Sequence, residues 1–362
     1  MEERDILNNT FIRIPAIRGV QGNRIFYSCA IPIKSLTDEW FTRSEPAVER
    51  AQRPPIPGHV KAITEYISKN SLDYVLGSLT FAVDSEIRFE ALSTDSESEI
   101  GFVYIDREMT LHSLDGQHRF KAILEAVKSN RNLLNQSIGL LIYIESDLSR
   151  KKQMFSDMNS TPKRVPKGLN IAFDNRDPFG RAAQMLVNSH PVLKDRTEMF
   201  ASRVIANSSN FYSLSSVHDT LKKLHVGSIG RVKNPEQYVD KEIAYKGSLF
   251  FDFLYNSRSE FADALQSQIK LQNYRKKTIL FNSTTLRVIA GAFYLMERDW
   301  GGDESQFFNE MERRFRLIDF KVNSRIFVNC GFVDKNSSTP NARNQQVAAG
   351  TKALFDQLTK IG

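Results

Sequence analysis

The sequence predicts an α+β protein with two domains, a mixed α/β domain over residues 1–175 and a mostly helical domain over residues 176–362. Strand-like and helix-like segments alternate in the first part, whereas from residue 179 onward most apolar patterns have helical spacing. The chain has 362 residues, of which 41% are hydrophobic, and this is enough apolar side chain for more than one buried core.

The elements of the first domain follow from local patterns. Residues 24–33 combine β-branched and aromatic side chains, as strands do, and residues 138–145 form a continuous apolar run, typical of a strand covered on both faces. A helix within residues 53–70 follows a proline-rich loop, and Asp147 is a good N-cap for a helix over 147–159. The remaining predicted elements are a strand at 74–83, a polar loop or ragged hairpin at 84–100, and a hairpin of 101–105 and 110–114 around a turn at 106–109.

The second domain is predicted to consist of helices, with a polar loop at 334–344 before the last one. Residues 213–234 are also compatible with a helix-turn-helix pair, because Gly227 and Gly230 lie near a turn. The predicted helices span 179–188, 213–225, 236–256, 259–272, 283–298, 304–318 and 345–360.

Composition limits the classes of function. The net charge of +7 is a moderate basic excess, which suits a polyanion such as nucleic acid, although many basic proteins bind none. No window reaches ~18 consecutive apolar residues, and the first residues lack the apolar core of a secretory signal, so we expect a cytoplasmic protein without a membrane span. Cys29 and Cys330 each lack a second cysteine at metal-ligand spacing, so we expect two separate thiols.

The segment TLHSLDGQHRFKAILEAV, residues 110–127, places several polar groups between a strand pattern and a helix pattern. Glycine at the bend permits φ values that other residues avoid, and the first turn of the helix offers backbone N–H groups to an anion. Arginine can hold a phosphate with two hydrogen bonds, and histidine adds a further donor. The predicted phosphate-binding residues of this corner are Gly116, Gln117, His118 and Arg119. Asp115, just before them, can cap the helix, hold Arg119 or His118, or ligate a metal carried by a nucleotide.

The same corner has a structural alternative and a catalytic one. Asp-Gly is a common turn, Asp is a common cap, and an arginine in a first turn is often only solvated. If the chain is an enzyme, Asp115 and His118 are the candidate catalytic residues, with Asp115 holding a divalent metal that a nucleotide brings. Glu125 is ten residues further on, so no second carboxylate lies at helical spacing from Asp115, and this disfavours turnover.

A basic run over residues 150–167, RKKQMFSDMNSTPKRVPK, is the clearest positive cluster. It contains a single acidic residue, Asp157, and we expect it to follow a nucleic-acid backbone, whereas its ordinary alternative is a solvated helix face. A second basic cluster at 311–325 also contains acidic residues and is read as helix surface. The predicted backbone contacts are Lys151, Lys152, Asn159, Lys163, Arg164 and Lys167, beside Arg150.

Several catalytic and metal motifs are missing from the sequence. The pair His112 and His118 has no cysteine nearby, so a zinc site is not expected. There is no phosphate-binding P-loop, no nucleophile elbow and no H-E-x-x-H motif. No protein-held metal and no certain cofactor are predicted; a nucleotide with Mg²⁺ at the corner is the one cofactor left open.

The residues LDGQHRFKAI, 114–123, resemble the signature of the DGQHR-domain proteins, and the chain resembles the DndB family of bacterial DNA sulfur modification proteins. Residues 11–175 carry the resemblance. The corner is also similar, more remotely, to the phosphate-gripping corner of ParB and sulfiredoxin-like folds, from which Gln117 and His118 depart. The other supporting segments, in family order, are RIPAIRGVQGNRIFYSCAIPIKSL, GHVKAITEYISKN and FSDMNSTPKRVPKGL.

This resemblance implies a ParB/sulfiredoxin-like first domain and a DNA-binding negative regulator of a gene cluster for DNA phosphorothioation, in which sulfur replaces a non-bridging phosphate oxygen. The sulfur chemistry itself needs a cysteine desulfurase and an iron–sulfur protein, and the isolated Cys29 and Cys330 suit neither role. Expected partners are double-stranded promoter DNA, other modification proteins and a second copy of the chain. The alternatives are a nucleotide hydrolase or DNA nickase that uses the corner, and a non-catalytic scaffold for the modification enzymes.

Overall fold

The computed structural model describes residues 11–36, 55–93, 99–160, 165–334, 337 and 339–361. The chain divides into two compact units, Met1–Lys163 and Arg164–Gly362, whereas the sequence-based boundary lay between residues 175 and 176. The first unit is a mixed sheet with helices and the second is mostly helical, so the predicted α+β fold class is confirmed.

The first unit is built on a sheet of seven strands within its described residues. Their order across the sheet is β4-β5-β1-β2-β7-β3-β6, with β3 and β7 parallel and every other pair antiparallel. The strands are β1 (Phe11–Gln21), β2 (Arg24–Pro32), β3 (Leu79–Val83), β4 (Arg88–Ala91), β5 (Ile100–Asp106), β6 (His112–Asp115) and β7 (Ser137–Ile144).

Strand β1 was not predicted, since it contains Pro15 and proline is rare in the middle of a sheet. Arg18 donates its backbone N–H to Glu99, toward β5, and backbone groups alternate sides along a strand. Position 15 therefore faces β2, and the pairing with β2 begins only at Ala16, opposite Cys29. The missing N–H of Pro15 thus costs the sheet no ladder hydrogen bond.

The predicted hairpin of 101–105 and 110–114 is wrong. Strand β5 pairs with β1 and β4, whereas β6 pairs with β3 at the far edge of the sheet. Two adjacent strand patterns separated by a short polar turn favour a hairpin locally, but pairing with distant strands decides the topology here. Within 84–100, β4 pairs with β5, as the ragged-hairpin alternative predicts, and residues 94–98 lie outside the described residues.

Helices cover both faces of this sheet. Helices α1 (Pro57–Lys69) and α2 (Gln117–Ser129) pack against each other, and Phe120 and Ile123 of α2 join Phe81 of β3 in the larger core. Helix α3 (Leu148–Ser160) lies on the opposite face, where its Met154 and Met158 pack with a smaller cluster. Asp147 accepts a hydrogen bond of 2.8 Å from the N–H of Arg150, which confirms the predicted N-cap.

The second unit has a phenylalanine-rich core, in which Phe250, Phe253, Phe293 and Phe315 contact one another. A short parallel pair, β8 (Thr197–Glu198) and β9 (Tyr212–Ser213), lies between the second and third helices of this unit. The helices are α4 (Lys167–Phe173), α5 (Pro178–Ser189), α6 (Leu214–Val226), α7 (Asp240–Ser257), α8 (Ser259–Gln266), α9 (Gln268–Lys277), α10 (Ser283–Arg298), α11 (Glu304–Phe315), α12 (Arg325–Asn329) and α13 (Asn344–Ile361).

Most helical predictions in this unit are confirmed, with two corrections. The predicted helix 259–272 is divided into α8 and α9 at Ser267, whose side chain caps α9 by accepting from the N–H of Lys270. The helix-turn-helix interpretation is wrong, because α6 is the one helix within 213–234 and residues 227–234, all of them described, form no second helix. No helix in the described part of the chain is both long enough and apolar enough to cross a membrane.

Candidate functional site

The DGQHR corner is a strand–glycine–helix junction at the edge of the sheet. Strand β6 ends at Asp115, Gly116 has φ of 94°, and α2 begins at Gln117. A side chain at position 116 would bring its Cβ within 2.8 Å of Leu79 Cδ2 and would require a left-handed backbone. The sharp turn therefore needs glycine, as the sequence predicted.

Arg119 lies across this junction. Its guanidinium Nη2 is 2.5 Å from Asp115 Oδ2, and a Cβ built on Gly77 would stand 2.7 Å from its Nη1. The side chain is 24% exposed, and its Nε is buried without a hydrogen-bond partner among the described residues. The arginine thus occupies space that a side chain at Gly77 would need, with Nη2 on a carboxylate and the buried Nε donor unused.

His118 acts as an acceptor in this arrangement. Its Nε2 receives a hydrogen bond of 2.9 Å from the backbone N–H of Ile56, and its ring meets that of His59 edge-on at 5.5 Å between centroids. Because a backbone N–H can only donate, Nε2 carries no proton while this bond exists. An anion that takes a hydrogen bond from this nitrogen must first displace Ile56.

The corner offers an anion three kinds of group. The first turn of α2 presents backbone N–H groups, the positive end of the helix dipole lies there, and a partly exposed arginine stands beside it. Asp115 is half-exposed and already balances the charge of Arg119, so an entering phosphate would either join this pair or replace the carboxylate.

The residues of the basic run are not on one surface. Asn159 and Lys152 are exposed on α3, and Asn159 donates to the carbonyl of Phe155 at 2.7 Å. Lys151 is buried, with a side chain only 4% exposed, and its Nζ binds Asp84 at 2.5 Å. Lys163 and Arg164 lie outside the described residues.

Lys167 belongs to the second unit, at the start of α4. Its Nζ is 2.6 Å from Asp219 of α6, so it forms an ion pair within that unit. The sequence run 150–167 therefore divides into an exposed part on α3, one buried lysine and one lysine paired in the other unit. Among the described residues of the run, those exposed on α3 are the ones that remain as candidate contacts to a nucleic-acid backbone.

Sequence reasoning missed a polar cluster around Asp84, the first residue after β3. Its carboxylate binds Lys151 and lies 2.8 Å from His112 Nε2. Burial alone would raise the pKa of Asp84, but hydrogen bonds from Lys151 and His112 outweigh it and hold the pKa below its ordinary value. The cluster fastens α3 to β3 and to the edge strand β6. No sequence spacing connects positions 84, 112 and 151.

A second unpredicted cluster surrounds His218 of α6. Its Nε2 is 2.7 Å from Asp177 Oδ2, and its Nδ1 is 3.4 Å from Asp219 Oδ1. Burial acts to lower the pKa of His218, but the two carboxylates outweigh it and raise the pKa above its ordinary value.

In the described part of the chain, no group of three or more His, Cys, Asp or Glu side chains is placed to hold a metal ion.

A family model described as DndB, DNA-sulfur modification-associated, matches residues 14–360, which is nearly the whole chain. The comparison with curated proteins found no match, and the comparison with solved structures found none either. The likeness to ParB and sulfiredoxin-like folds therefore stays a prediction. Since one family model spans both units, the chain belongs to the DndB family, which is associated with DNA sulfur modification.

Proposed function

We propose that this chain is a cytoplasmic DNA-binding protein that negatively regulates the genes of a DNA phosphorothioation system. The family match supplies the process. The main support for DNA binding is the geometry of the corner. Gly116, the first turn of α2 and the half-buried guanidinium of Arg119 lie together there, at the edge of the sheet. This combination is suited to a phosphate and is not needed for a simple turn.

The buried Nε of Arg119 supports this role for the arginine. A buried guanidinium donor without a partner is costly, and such groups in native proteins are usually satisfied by a ligand, an ion or water. A DNA phosphate oxygen at the corner would take hydrogen bonds from this side chain and from the first turn of α2. Arg150 and Lys152, both exposed on α3, supply further backbone contacts in the same unit.

The distribution of charge between the two units supports a polyanionic partner more strongly than the net charge of the whole chain does. The first unit has 20 Lys and Arg against 22 Asp and Glu, a net charge of −2, whereas the second has 29 against 20, a net charge of +9. The helical unit therefore provides the long-range attraction for DNA. The corner provides short-range contacts that fix where the backbone lies.

The nuclease or nucleotide-hydrolase alternative has less support. It requires Asp115 to hold a metal or activate water, but that carboxylate is bound by Arg119. A hydrolase would also need a second carboxylate near Asp115, and no metal-holding cluster exists among the described residues. A scaffold role is compatible with the family match but leaves the buried arginine donor without an explanation.

Binding to promoter DNA of the modification gene cluster, compared with random duplex, tests this function. Arg119→Ala should weaken duplex affinity by about tenfold or more, since it removes charge-assisted hydrogen bonds worth ~1.5–3 kcal/mol. Lys128→Ala is the matched control, because Lys128 lies at the other end of α2 and is 67% exposed. Equal affinities for the two variants, with unchanged melting temperatures, would show that the corner does not contact DNA.

A further inference from the structure

A cavity of about 670 Å³ lies in the helical unit, at the N-terminal ends of α6 and α10. Its volume falls in the range of about 300–1,000 Å³ that small-molecule sites occupy. Its walls come from several separate segments, namely α4, residues 202–206, α6, residues 275–287 and residues 339–342. Walls from several segments partly surround a ligand, whereas a DNA duplex needs an open strip.

The lining of this cavity is strongly cationic. Of its charged residues, Lys167 and Asp219 form an ion pair, which leaves Arg203, Arg275 and Arg287. None of these three arginines has a carboxylate within ion-pair distance in the described part of the chain. Arg275 donates to backbone carbonyls, and burial lowers its pKa. Arg275 is satisfied by these carbonyls, whereas Arg203 is exposed and Arg287 is partly buried, so the latter two can attract an anion that enters the cavity.

Serine hydroxyl groups form a hydrogen-bonded chain that reaches the wall. Ser216 donates to Ser283 at 2.6 Å. The hydroxyl of Ser213 lies 2.7 Å from that of Ser216 and 3.0 Å from that of Ser215, and it can also donate to the carbonyl of Ser202 at 3.4 Å. Each proton in this chain then has an acceptor except that of Ser283, for which no acceptor exists among the described residues. Ser283 lines the cavity, so the chain ends in a donor at its wall.

Two helices also begin at this cavity. Ser215 and Ser216 lie in the first turn of α6, and Ser283 and Thr284 lie in the first turn of α10. The positive ends of both helix dipoles thus add to the field of the arginines. Either helix end alone would be ordinary, but here two of them meet three arginines and a terminal hydroxyl donor in one cavity.

We propose that this cavity binds the phosphate group of a small phosphorylated molecule of nucleotide size. Arg287 and Arg203 take the anion, and the hydroxyl of Ser283 donates to one of its oxygens. The cavity is separate in sequence and in unit from the DGQHR corner, so the protein has an effector site in addition to its DNA contacts. The fraction of protein with this site occupied would then depend on the concentration of a phosphorylated metabolite in the cell.

Calorimetric titration of the full chain with inorganic phosphate, and with ATP in the presence and absence of Mg²⁺, tests this proposal. Saturable binding of either probe is expected, weakened about tenfold or more in Arg287→Ala. Arg298→Ala is the matched control, since Arg298 ends the same helix and is 67% exposed. Arg203→Ala, in an exposed loop, gives a second test if Arg287→Ala lowers the melting temperature.

Measuring duplex affinity for the same variants distinguishes this site from the proposed function. Arg287→Ala and Arg203→Ala should keep their affinity for promoter duplex, and Arg119→Ala should keep its affinity for phosphate and ATP. Three results would overturn the proposal: no binding of either probe by the wild-type chain at millimolar concentration, loss of ATP binding only in Arg119→Ala, or loss of duplex affinity in Arg287→Ala without any binding of phosphate or ATP.

Discussion

In the proposed function, Arg119 combines a structural task with phosphate binding in one side chain. Its bond to Asp115 holds the guanidinium, which occupies space that a Cβ at Gly77 or Gly116 would crowd, and its Nε is buried without a partner among the described residues. A preorganised arginine loses less conformational entropy when it binds phosphate than a flexible surface lysine does. The glycines are therefore part of the site, because any side chain there would displace the arginine.

Gly116→Ala tests this at the residue scale. The substitution places a Cβ 2.8 Å from Leu79 and forces alanine into φ of 94°, so the free energy of unfolding should fall by about 1–3 kcal/mol. Gly58→Ala is the control, since Gly58 lies in α1 with nothing within 4 Å, and there alanine should leave stability unchanged or raise it. Denaturant unfolding measures both, and a destabilisation of equal size in the two variants would contradict this account.

Local patterns predicted most elements but not their partners. The apolar stripe of α2 and the cap of α3 were readable because both depend on neighbours within one or two turns. Strand β1 was hidden by Pro15, and the false hairpin of β5 and β6 arose because strand pairing is non-local. The burial of Lys151 had no local signal either, since its partner Asp84 is 67 residues away.

The polar cluster at the start of α6 gives the second unit a dependence on pH. Asp177 and Asp219 face His218, and Lys167 and Lys222 lie near these carboxylates. The pKa of His218 is raised above 6.5, so the folded state binds its proton more tightly than the unfolded state does. The stabilisation is complete below pH 6.5 and is lost as pH rises through the raised pKa.

Comparison with His218→Gln measures this contribution. The melting temperature of the wild-type chain should fall more than that of the variant between pH 6 and pH 8, because only the wild type loses a proton at this site. Both aspartates, whose pKa values are lowered, remain ionised across this window and do not contribute to the difference. Parallel pH curves for the two proteins would mean that His218 has the same pKa in the folded and unfolded chain, and would contradict this account.

At the scale of the whole molecule, charge and chemistry are divided between the units. The corner lies in a unit with a net charge of −2, and the basic excess lies in the helical unit, whose net charge is +9. We therefore expect the long-range attraction to DNA to depend on the charge of the whole chain. The number of phosphates that the protein contacts should be smaller than the number of positive charges in the helical unit. Salt dependence can separate these two effects, because its slope counts phosphates neutralised at the interface.

Replacing Arg150 and Lys152 together by alanine should flatten the slope of log K against log salt by up to about 2, on specific and random duplex alike. The control removes two exposed lysines of α13, Lys352 and Lys360, and should change the slope by less than about 1. A change confined to the α13 pair would place the DNA on the helical unit. Equal changes in both variants would indicate a response to net charge alone.

A regulator acts through occupancy of DNA and not through turnover, so the sulfur chemistry should continue without it. The most direct measurement is mass spectrometry of phosphorothioate linkages in DNA from cells that lack this gene, with transcripts of the modification genes quantified in the same cultures. We expect the transcripts to rise and the linkages to persist, and Arg119→Ala to reproduce part of the rise in proportion to its lost affinity. Disappearance of the linkages with unchanged transcripts would contradict a regulatory role and would make the protein part of the modification chemistry.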